Sequence, residues 1–350
     1  MYLCNNNKTQ LFMDNPYIKQ YPDLMDGKTI MYNHGFGSSA ASGTVGRIQQ
    51  TFPNARVVAF DIPLHPTEAM TFLKEKVAQE KPDLIIGTSM GGMYTEMLYG
   101  YDRILVNPAF EMGQTMKEHG MTGKQTWQNP RQDGEQTFLV TKALEKEYKE
   151  MTERCFVELE SMPAKGKAEE QARVWGLFGD EDPIVHTFDL YRDHYPQAAR
   201  FHGEHRMDDR SFMNGVVPVI RWIDDWQEKR ERPVALIDSS TLRDAYGKPK
   251  SSLNKAFDML IERYAVYIVA PAPTNDREDL ADMGAWVERH LSTPAHDRVI
   301  YCNQKQQLYG DYYIDANPCA NFMGTTIAFG SDKFKTWEEV ITFFERLGGQ

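Results

Sequence analysis

A serine flanked by glycines is the first group in the sequence whose setting suggests chemistry. It lies in Gly87-Thr88-Ser89-Met90-Gly91, which fits the pattern G-x-S-x-G. The glycines of this pattern allow a strand and a helix to meet at a sharp turn, which leaves the serine hydroxyl exposed. A serine hydroxyl is a weak nucleophile at neutral pH, so it needs a base to take its proton and a carboxylate to orient that base.

Candidates for both groups follow Ser89 in the chain. The apolar run Val174–Phe178 leads into an acidic turn, in which Asp182 has the better spacing to the apolar residues that follow and Asp180 is the reserve. Both aspartates stay candidates, because either could reach an imidazole from one turn. The same acids could instead only cap the next helix. His205 follows a later turn that contains glycine, and it is the candidate general base.

Attack of Ser89 on a carbonyl would create an oxyanion, which needs hydrogen-bond donors placed in advance. The backbone N–H of Met90 comes directly after the serine, at a predicted helix start where the helix dipole favours negative charge. The second donor is expected in the loop after the first core strand, His34–Ser39, where the N–H of Phe36 is the candidate. The predicted chemistry is therefore acyl transfer.

Short apolar runs alternate with amphipathic stretches in the first two thirds of the chain. This alternation predicts an α/β fold in which a parallel sheet carries helices on both faces. The stretch 113–166 interrupts the alternation and predicts a lid-like insertion, with helical spacing over Thr141–Glu160. The predicted strands are Thr29–Tyr32, Arg56–Phe60, Leu84–Ile86, Arg103–Val106 and Arg173–Phe178, and the helices between them include Thr67–Gln79 and Tyr94–Tyr99.

A domain boundary is predicted where the charged run Gln227–Arg232 ends at Pro233. It follows a long amphipathic helix, Ser211–Lys229, and divides the chain into domains 1–231 and 232–350. A second alternation begins after it and predicts a smaller α/β domain. Its strands and helices are expected at Val234–Ile237, Leu253–Arg263, Val266–Val269, Asp276–His290, Val299–Tyr301, Tyr312–Ile314, Thr325–Phe329 and Thr336–Leu347.

Composition limits the classes of partner. The chain of 350 residues has 39 basic and 50 acidic residues and a net charge of -11, which disfavours binding to a nucleic acid polymer or an anionic membrane. We see no signal-like N-terminus and no window near the roughly 20 apolar residues of a membrane span. We therefore expect a cytoplasmic protein that acts on a small molecule, and a homo-oligomer is compatible with the sequence. Its four cysteines lack the C-x-x-C spacing of metal sites.

Five motifs follow one another in the first domain: Y-N-H-G-F-G-S-S, G-T-S-M-G-G, V-N-P-A-F, G-D-E-D-P-I-V and H-G-E-H-R-M. They resemble those of the YqiA-type esterases of the α/β-hydrolase superfamily, over about Thr29–Trp226. The resemblance implies that Ser89 is the nucleophile, that His205 is the base and that an aspartate of the 180–182 turn orients it. Phe36 and Met90 would be the oxyanion donors. It also implies hydrolysis of small carboxylic esters with short acyl groups, through an acyl-enzyme and without a cofactor.

The second domain contains, in order, an apolar strand that ends in a carboxylate, V-A-L-I-D (234–238), then N-Q-K-Q (303–306) and G-D-Y-Y-I-D (310–315). Together these motifs resemble those of the 5'(3')-deoxyribonucleotidases of the haloacid dehalogenase (HAD) superfamily, over about Pro233–Leu347, which implies a Rossmann-like α/β domain. The resemblance implies that Asp238 is a nucleophile towards phosphate and, with Asp315, a Mg²⁺ ligand. Lys305 would neutralise the phosphate.

The second domain also departs from that pattern. Ser240 replaces the aspartate that acts as general acid in the superfamily, and Ala316 replaces an acidic neighbour of Asp315. The short stretch after Asp238 leaves no room for a cap domain. A serine cannot protonate a leaving alcohol at neutral pH, so we expect a weakened, capless pseudo-phosphatase. The alternative is a nucleotide- or phosphate-binding module, or a weak Mg²⁺-dependent phosphatase, with the hydrolase domain as scaffold.

Overall fold

The computed structural model describes residues 17–273, 278–292 and 298–348. By its internal contacts the chain divides into two compact units. The first comprises the residues up to Ala199 together with Gly203–Met213, and the second comprises Arg200–His202 together with the residues from Asn214 onward. The boundary after residue 231 stays a prediction. None of the helices in the described part of the chain is long and apolar enough to cross a membrane.

The first unit is built from alternating strands and helices, with an insertion in the middle. Strand β8 begins in this unit and ends in the other. The elements are β1 (Thr29–Asn33), α1 (Gly43–Thr51), β2 (Arg56–Ala59), α2 (Pro66–Glu80), β3 (Leu84–Thr88), α3 (Met90–Glu96), β4 (Arg103–Val106), α4 (Met112–Glu118), β5 (Gly123–Thr126), β6 (Thr137–Val140), α5 (Lys142–Thr152), α6 (Val157–Ser161), α7 (Ala164–Gln171), β7 (Val174–Gly179), α8 (Phe188–Arg192), β8 (Ala198–Phe201) and α9 (Asp209–Ser211).

Six of these strands form one sheet in the order β2-β1-β3-β4-β7-β8, and the register from β2 to β7 is parallel throughout. Strands β1 and β4 are buried at every position, so both faces of the sheet are covered. The predicted α/β class is therefore confirmed. The strand order reverses between β1 and β3, and in open α/β sheets ligands bind at the carboxyl ends of the strands beside such a reversal.

The insertion differs from the sequence prediction. The helical spacing over 141–160 does not give one helix, because the chain breaks between α5 and α6 at Phe156, whose φ of 65° is left-handed. The Phe156 N–H donates to the Glu96 Oε2 atom at 3.2 Å, which holds the break in place. The insertion also contains an antiparallel hairpin of β5 and β6, which the analysis of its polar sequence did not predict.

A buried charge anchors the helix that follows Ser89. The Arg103 guanidinium is fully buried and donates to the carbonyls of Thr95 (3.1 Å) and Glu96 and to the Glu170 carboxylate. Those two carbonyls lie at the carboxyl end of α3, where the helix dipole favours a cation. In the structure this helix begins at Met90 and ends at Glu96, earlier at both ends than the predicted helix Tyr94–Tyr99.

The second unit contains a second parallel sheet, as predicted. Its five strands lie in the order β11-β10-β9-β12-β13, and all pairs in it are parallel. This is the 3-2-1-4-5 order of a Rossmann-like sheet. The elements are α10 (Val217–Gln227), β9 (Val234–Asp238), α11 (Leu253–Ile261), β10 (Ala265–Ala270), α12 (Glu278–His290), β11 (Val299–Tyr301), β12 (Tyr309–Asp315), β13 (Met323–Ala328) and α13 (Trp337–Leu347).

Two helix predictions in this region need comment. The helix predicted over 211–229 is not continuous, because a π-helical turn, Phe212–Val216, precedes α10. Pro218 lies in the first turn of α10, and proline has no N–H to extend a helical ladder in the amino-terminal direction. The helix predicted to begin at 276 is described from Glu278, and residues 276 and 277 lie outside the described residues.

Candidate active site

Ser89 lies on a strained turn between β3 and α3. Its φ of 54° and ψ of -120° are uncommon for a residue with a side chain, and such strain concentrates at functional sites. A Cβ atom added at Gly91 would be 2.1 Å from the Asn33 carbonyl oxygen, and one at Gly87 would be 2.3 Å from the Thr95 Oγ1 atom. Both glycines of the G-x-S-x-G pattern are therefore required by the close packing of this turn.

The structure brings three of the predicted residues into one chain of hydrogen bonds. The His205 Nε2 atom lies 3.1 Å from the Ser89 Oγ atom, and the His205 Nδ1 atom lies 2.8 Å from the Asp182 Oδ2 atom. The His205 side chain is 16% exposed and that of Asp182 is 2% exposed, so bulk water reaches the imidazole but hardly the carboxylate. Ser89 follows β3, Asp182 follows β7 and His205 follows β8, so all three lie at the carboxyl ends of strands.

Asp182 is held as a carboxylate. Burial would raise the pKa of its side chain, but hydrogen bonds from His205 and from the backbone N–H groups of Ile184 (2.7 Å) and Val185 (3.1 Å) hold that pKa below the usual value. An ionised Asp182 accepts a hydrogen bond from the His205 Nδ1–H group. The unprotonated Nε2 atom of the same ring can then accept a hydrogen bond from the Ser89 hydroxyl. Asp180 instead accepts the N–H of Gly203 at 3.1 Å. The sequence left open which aspartate contacts the histidine. In the structure Asp182 contacts His205, whereas Asp180 binds the N–H of Gly203.

The loop after β1 adjoins the serine. A Cβ atom added at Gly35 would be 3.3 Å from the Ser89 Cβ atom, which shows how closely this loop approaches. Phe36 follows in the loop and lines a cavity of about 580 Å³ together with Ser89 and His205. Met90 is the first residue of α3. Both predicted oxyanion donors therefore belong to segments that touch Ser89, and their role stays a prediction.

His34 has a structural position in the same loop. Its ring is buried, the Nε2 atom accepts the N–H of Ile62 at 3.1 Å, and the Nδ1 atom lies 2.8 Å from the Gly35 carbonyl oxygen. Burial lowers the pKa of the His34 imidazole to about 4, although the Gly35 carbonyl opposes that shift. The ring is therefore neutral at neutral pH and fixes the loop that carries Phe36.

Asn107 is a positioning residue in the V-N-P-A-F motif, to which the sequence analysis gave no role of its own. It follows β4, its backbone is left-handed (φ 45°), and its side-chain amide donates to the carbonyls of Glu204 and His205 at 3.2 Å each. Its Oδ1 atom accepts the N–H of Gly179 at 2.7 Å. One side chain thus ties the histidine loop to the aspartate loop. The available signal was an asparagine placed directly after a buried strand and before a proline.

The hairpin loop of the insertion is fastened to the β1–α1 loop. The Gln128 N–H donates to the Gly37 carbonyl (2.7 Å), the Ser39 hydroxyl donates to the Pro130 carbonyl (2.7 Å), and the Asn129 amide donates to the Ser38 hydroxyl (2.9 Å). Gln128, Asn129 and Phe138 also line the cavity beside Ser89. The insertion therefore forms one wall of this cavity, and its action as a lid stays a prediction.

The second unit brings its three predicted residues together. The Lys305 Nζ atom lies 2.5 Å from the Asp238 Oδ2 atom and 3.0 Å from the Asp315 Oδ2 atom, and both carboxylates are buried. Burial would lower the pKa of Lys305, but the two aspartates hold that pKa above its usual value. Asp238 also accepts hydrogen bonds from the hydroxyls of Ser240 (2.5 Å) and Tyr313 (3.2 Å).

The two predicted metal ligands of this unit share a lysine neighbour. The Lys305 ammonium group occupies the space between the two carboxylates, and Ala316 offers no ligand. The Lys250 Nζ atom donates to the Ser240 carbonyl at 3.0 Å, so a second cation lies beside the segment that follows Asp238. Within the described ranges no group of three or more His, Cys, Asp or Glu side chains could hold a metal ion. The metal-ligand roles of Asp238 and Asp315 stay predictions from the resemblance.

Comparison with known families bears on the first unit. Residues 29–202 match UPF0227, an uncharacterised protein family. This match confirms the resemblance to YqiA-like esterases over the segment that carries Ser89 and Asp182. Together with the order of the parallel sheet and the strained serine turn, it identifies an α/β-hydrolase-like fold.

Comparison with curated proteins bears on the other part of the chain. A protein of Vibrio phage KVP40, described as a candidate 5'(3')-deoxyribonucleotidase, is 36% identical over 102 residues. The match covers 28% of this chain and 60% of the phage protein, so the chain spans less than two thirds of that relative's length. The predicted resemblance to this family is confirmed for this part, and the relative's activity remains a property of the relative.

Solved structures with a distant likeness to this chain include two from bacteria. Est1E from Butyrivibrio proteoclasticus is 12% identical, with a TM-score of 0.38, and the match covers 60% of this chain and 90% of that one. The esterase domain of a Rhodothermus marinus protein is 17% identical, with a TM-score of 0.37 and the same two coverages.

The buried His34 predicts a specific dependence of stability on pH. Its pKa is about 4 in the folded protein and about 6.5 in an unfolded chain, so the unfolded state binds more protons between these values. Its contribution to stability is complete above pH 6.5 and is lost as the pH falls towards 4, by about 2 kcal/mol between pH 8 and pH 5. In His34→Gln, the urea-unfolding free energy should fall less steeply with pH.

The matched control is His186→Gln, which removes an exposed imidazole from the same unit. It should keep the wild-type pH dependence. If His34→Gln and wild type lose the same free energy between pH 8 and pH 5, the buried neutral state assigned to His34 is wrong.

Proposed function

We propose that the first unit is a serine hydrolase that cleaves small carboxylic esters through an acyl-enzyme. The observation that carries this proposal is the hydrogen bond between Ser89 and His205, continued from His205 to Asp182. The chain order Ser, Asp, His and the match to UPF0227 support it.

Acylation follows from this arrangement. The Ser89 Oγ atom attacks the ester carbonyl carbon while its proton passes to the His205 Nε2 atom, and Asp182 stabilises the imidazolium that forms. The carbonyl oxygen becomes an oxyanion, which the N–H groups of Phe36 and Met90 stabilise. As the tetrahedral intermediate collapses, the bond to the alcohol oxygen breaks and His205 gives its proton to that oxygen. The acyl group then remains bonded to Ser89.

Deacylation repeats these steps with water. His205 takes a proton from a water molecule, the hydroxide oxygen attacks the acyl carbonyl, and the same N–H groups stabilise the second oxyanion. Collapse of this intermediate breaks the bond to the Ser89 oxygen, which recovers its proton from His205. The carboxylic acid leaves, and the enzyme returns to its starting state.

The cavity supports a small substrate. Its volume of about 580 Å³ lies within the range of small-molecule sites, about 300 to 1,000 Å³. Part of its lining is apolar and suits a short acyl chain. This part includes Phe36, Met112, Met121, Phe138 and Ile184.

A serine-directed probe tests this function. Wild type should react with a fluorophosphonate and hydrolyse short p-nitrophenyl esters, whereas Ser89→Ala should lose labelling and retain less than about one thousandth of kcat. Asp182→Asn should lower kcat by roughly 100- to 10,000-fold, because the imidazole loses its orienting carboxylate.

Asp180→Asn is the matched control, since an asparagine oxygen can still accept the N–H of Gly203. It should stay within about threefold of wild type in kcat. A wild-type protein that takes up no probe and turns over no short ester would rule out the proposed hydrolase. Equal losses in the two asparagine variants would rule out the role of Asp182.

We also propose a second candidate function, in which the second unit binds a phosphate or a nucleotide. The specific observation in its favour is the Lys305 ammonium group between Asp238 and Asp315, at the carboxyl ends of β9 and β12. The similarity to the phage protein points to nucleoside monophosphates. Ser240 in place of a general acid favours binding over efficient phosphate transfer.

Thermal unfolding with nucleoside monophosphates tests the second candidate. At ligand concentrations well above Kd, the midpoint of unfolding should rise by a few degrees in wild type and not in Lys305→Gln. Lys335→Gln is the control, because this lysine is exposed. The same unfolding midpoints measured with and without Mg²⁺ test the metal prediction. Weak phosphatase turnover is tested by comparing the activity of wild type with that of Asp238→Asn. If no nucleotide shifts the wild-type midpoint under either condition, the binding module is ruled out.

A further inference from the structure

The cavity beside Ser89 has an unusual charge for this protein. The chain carries 50 acidic residues and a net charge of -11, yet none of the described residues that line this cavity is Asp or Glu. Two lining residues, Arg47 and Arg206, are cationic. A cleft lined by one sign of charge concentrates ligands of the opposite sign. The charged side chains that line this cavity are therefore all positive, which favours anionic ligands.

Arg206 supplies the more available of the two positive charges. It follows His205 directly, its side chain is exposed, and its guanidinium donates to the neutral Gln128 side chain at 3.2 Å. Within the described residues it has no carboxylate partner. A guanidinium in this state keeps donors free for a ligand carboxylate or phosphate, both of which it can bind through two parallel hydrogen bonds.

Arg47 lies on helix α1. The first two residues of this helix, Gly43 and Thr44, line the same cavity. The Arg47 Nε atom lies 2.5 Å from the Asp209 Oδ1 atom, so part of its charge is neutralised and its position is fixed. The nine-residue helix has no acidic residue in its first turn. The Ser42 hydroxyl before it also lines the cavity, is buried, and has no hydrogen-bond partner among the described residues. This wall therefore offers further donors to an anion.

The position of Arg206 indicates which part of the substrate is charged. In the proposed reaction His205 gives its proton to the leaving alcohol oxygen, so the alcohol portion must lie beside His205. Arg206 is the adjacent residue in the chain. The apolar residues of the cavity remain available for the acyl chain.

We propose that the substrate is an ester whose alcohol portion carries a carboxylate or phosphate, and that Arg206 recognises this anion, assisted by Arg47 and the first turn of α1. This inference rests on the proposed esterase function and specifies its substrate class. Arg206 is a specificity-determining residue in this account. A neutral alcohol would leave its guanidinium without an ionic partner.

Three acetate esters of para-substituted phenols test the inference with one common acyl group. The substituent is a methyl group, a carboxylate or a phosphate, so the acetyl-enzyme is the same for all three. In Arg206→Gln, the ratio of kcat/KM for the charged esters to that for the methyl ester should fall about tenfold, and further in Arg206→Glu. Raising the salt concentration should lower the same ratio in wild type, because salt screens exposed charges.

Arg210→Gln is the matched control, since Arg210 is an exposed arginine of the same unit that does not line the cavity. It should leave all three values unchanged. A reduced ratio for only one charged ester would identify that anion as the recognised group. If Arg206→Gln changes all three esters equally or changes none of them, the inference is overturned.

An uncharged fluorophosphonate separates this failure from failure of the proposed function. Its reaction with Ser89 reports the nucleophile and does not involve an anionic alcohol. If the probe labels wild type and Arg206→Gln alike while the ratio stays constant, the esterase stands and only the anion recognition falls. If wild type is not labelled and hydrolyses none of the acetates, both proposals fail.

Discussion

The hydrogen bond between the Ser89 hydroxyl and the His205 imidazole is the interaction on which the account of this protein depends. It requires the serine to project from a backbone turn with φ of 54°, which is costly for a residue with a side chain. The surrounding packing holds that conformation, because the glycines on both sides allow α3 to lie against β1 and β3. Arg103 anchors the far end of the same helix by binding its last carbonyls. The strain at Ser89 is thus balanced by structure that is itself buried.

The partners of Ser89 reach it because parallel strands end at one edge of the sheet. The reversal of strand order between β1 and β3 opens this edge, so that the β1–α1 loop, with Phe36, lies next to the serine turn. Asn107 then ties the loops after β7 and β8 to each other, which fixes the distance between Asp182 and His205. The insertion completes the cavity with polar and aromatic side chains. Each contact is modest alone, but together they determine a single arrangement.

Much of this was predictable from the sequence, because the determinants are local. The serine turn follows from two glycines, and the alternation of apolar runs predicts both parallel sheets. The choice between Asp180 and Asp182 was not predictable, since it depends on how one turn curves towards Gly203 and His205. The role of Asn107 was not predictable from its motif, because it consists of contacts to residues far away in the sequence. The break between helices α5 and α6 at Phe156 is held by a buried hydrogen bond to Glu96. The helical spacing of apolar residues cannot reveal such a contact.

Two motifs of different chemical character thus occur in one chain, each at the carboxyl ends of a parallel sheet. In the second, a lysine ammonium group lies between two carboxylates, which are the three residues that the resemblance predicted for a phosphate site. In the first, an imidazole links a carboxylate to a hydroxyl, and this linkage is the central claim. The most direct test is rapid quenching of wild type with a short p-nitrophenyl ester, followed by mass spectrometry of its peptides. The account predicts a burst of p-nitrophenol and the acyl mass on Ser89, whereas turnover without any acylated peptide, or acylation of another residue, would contradict it.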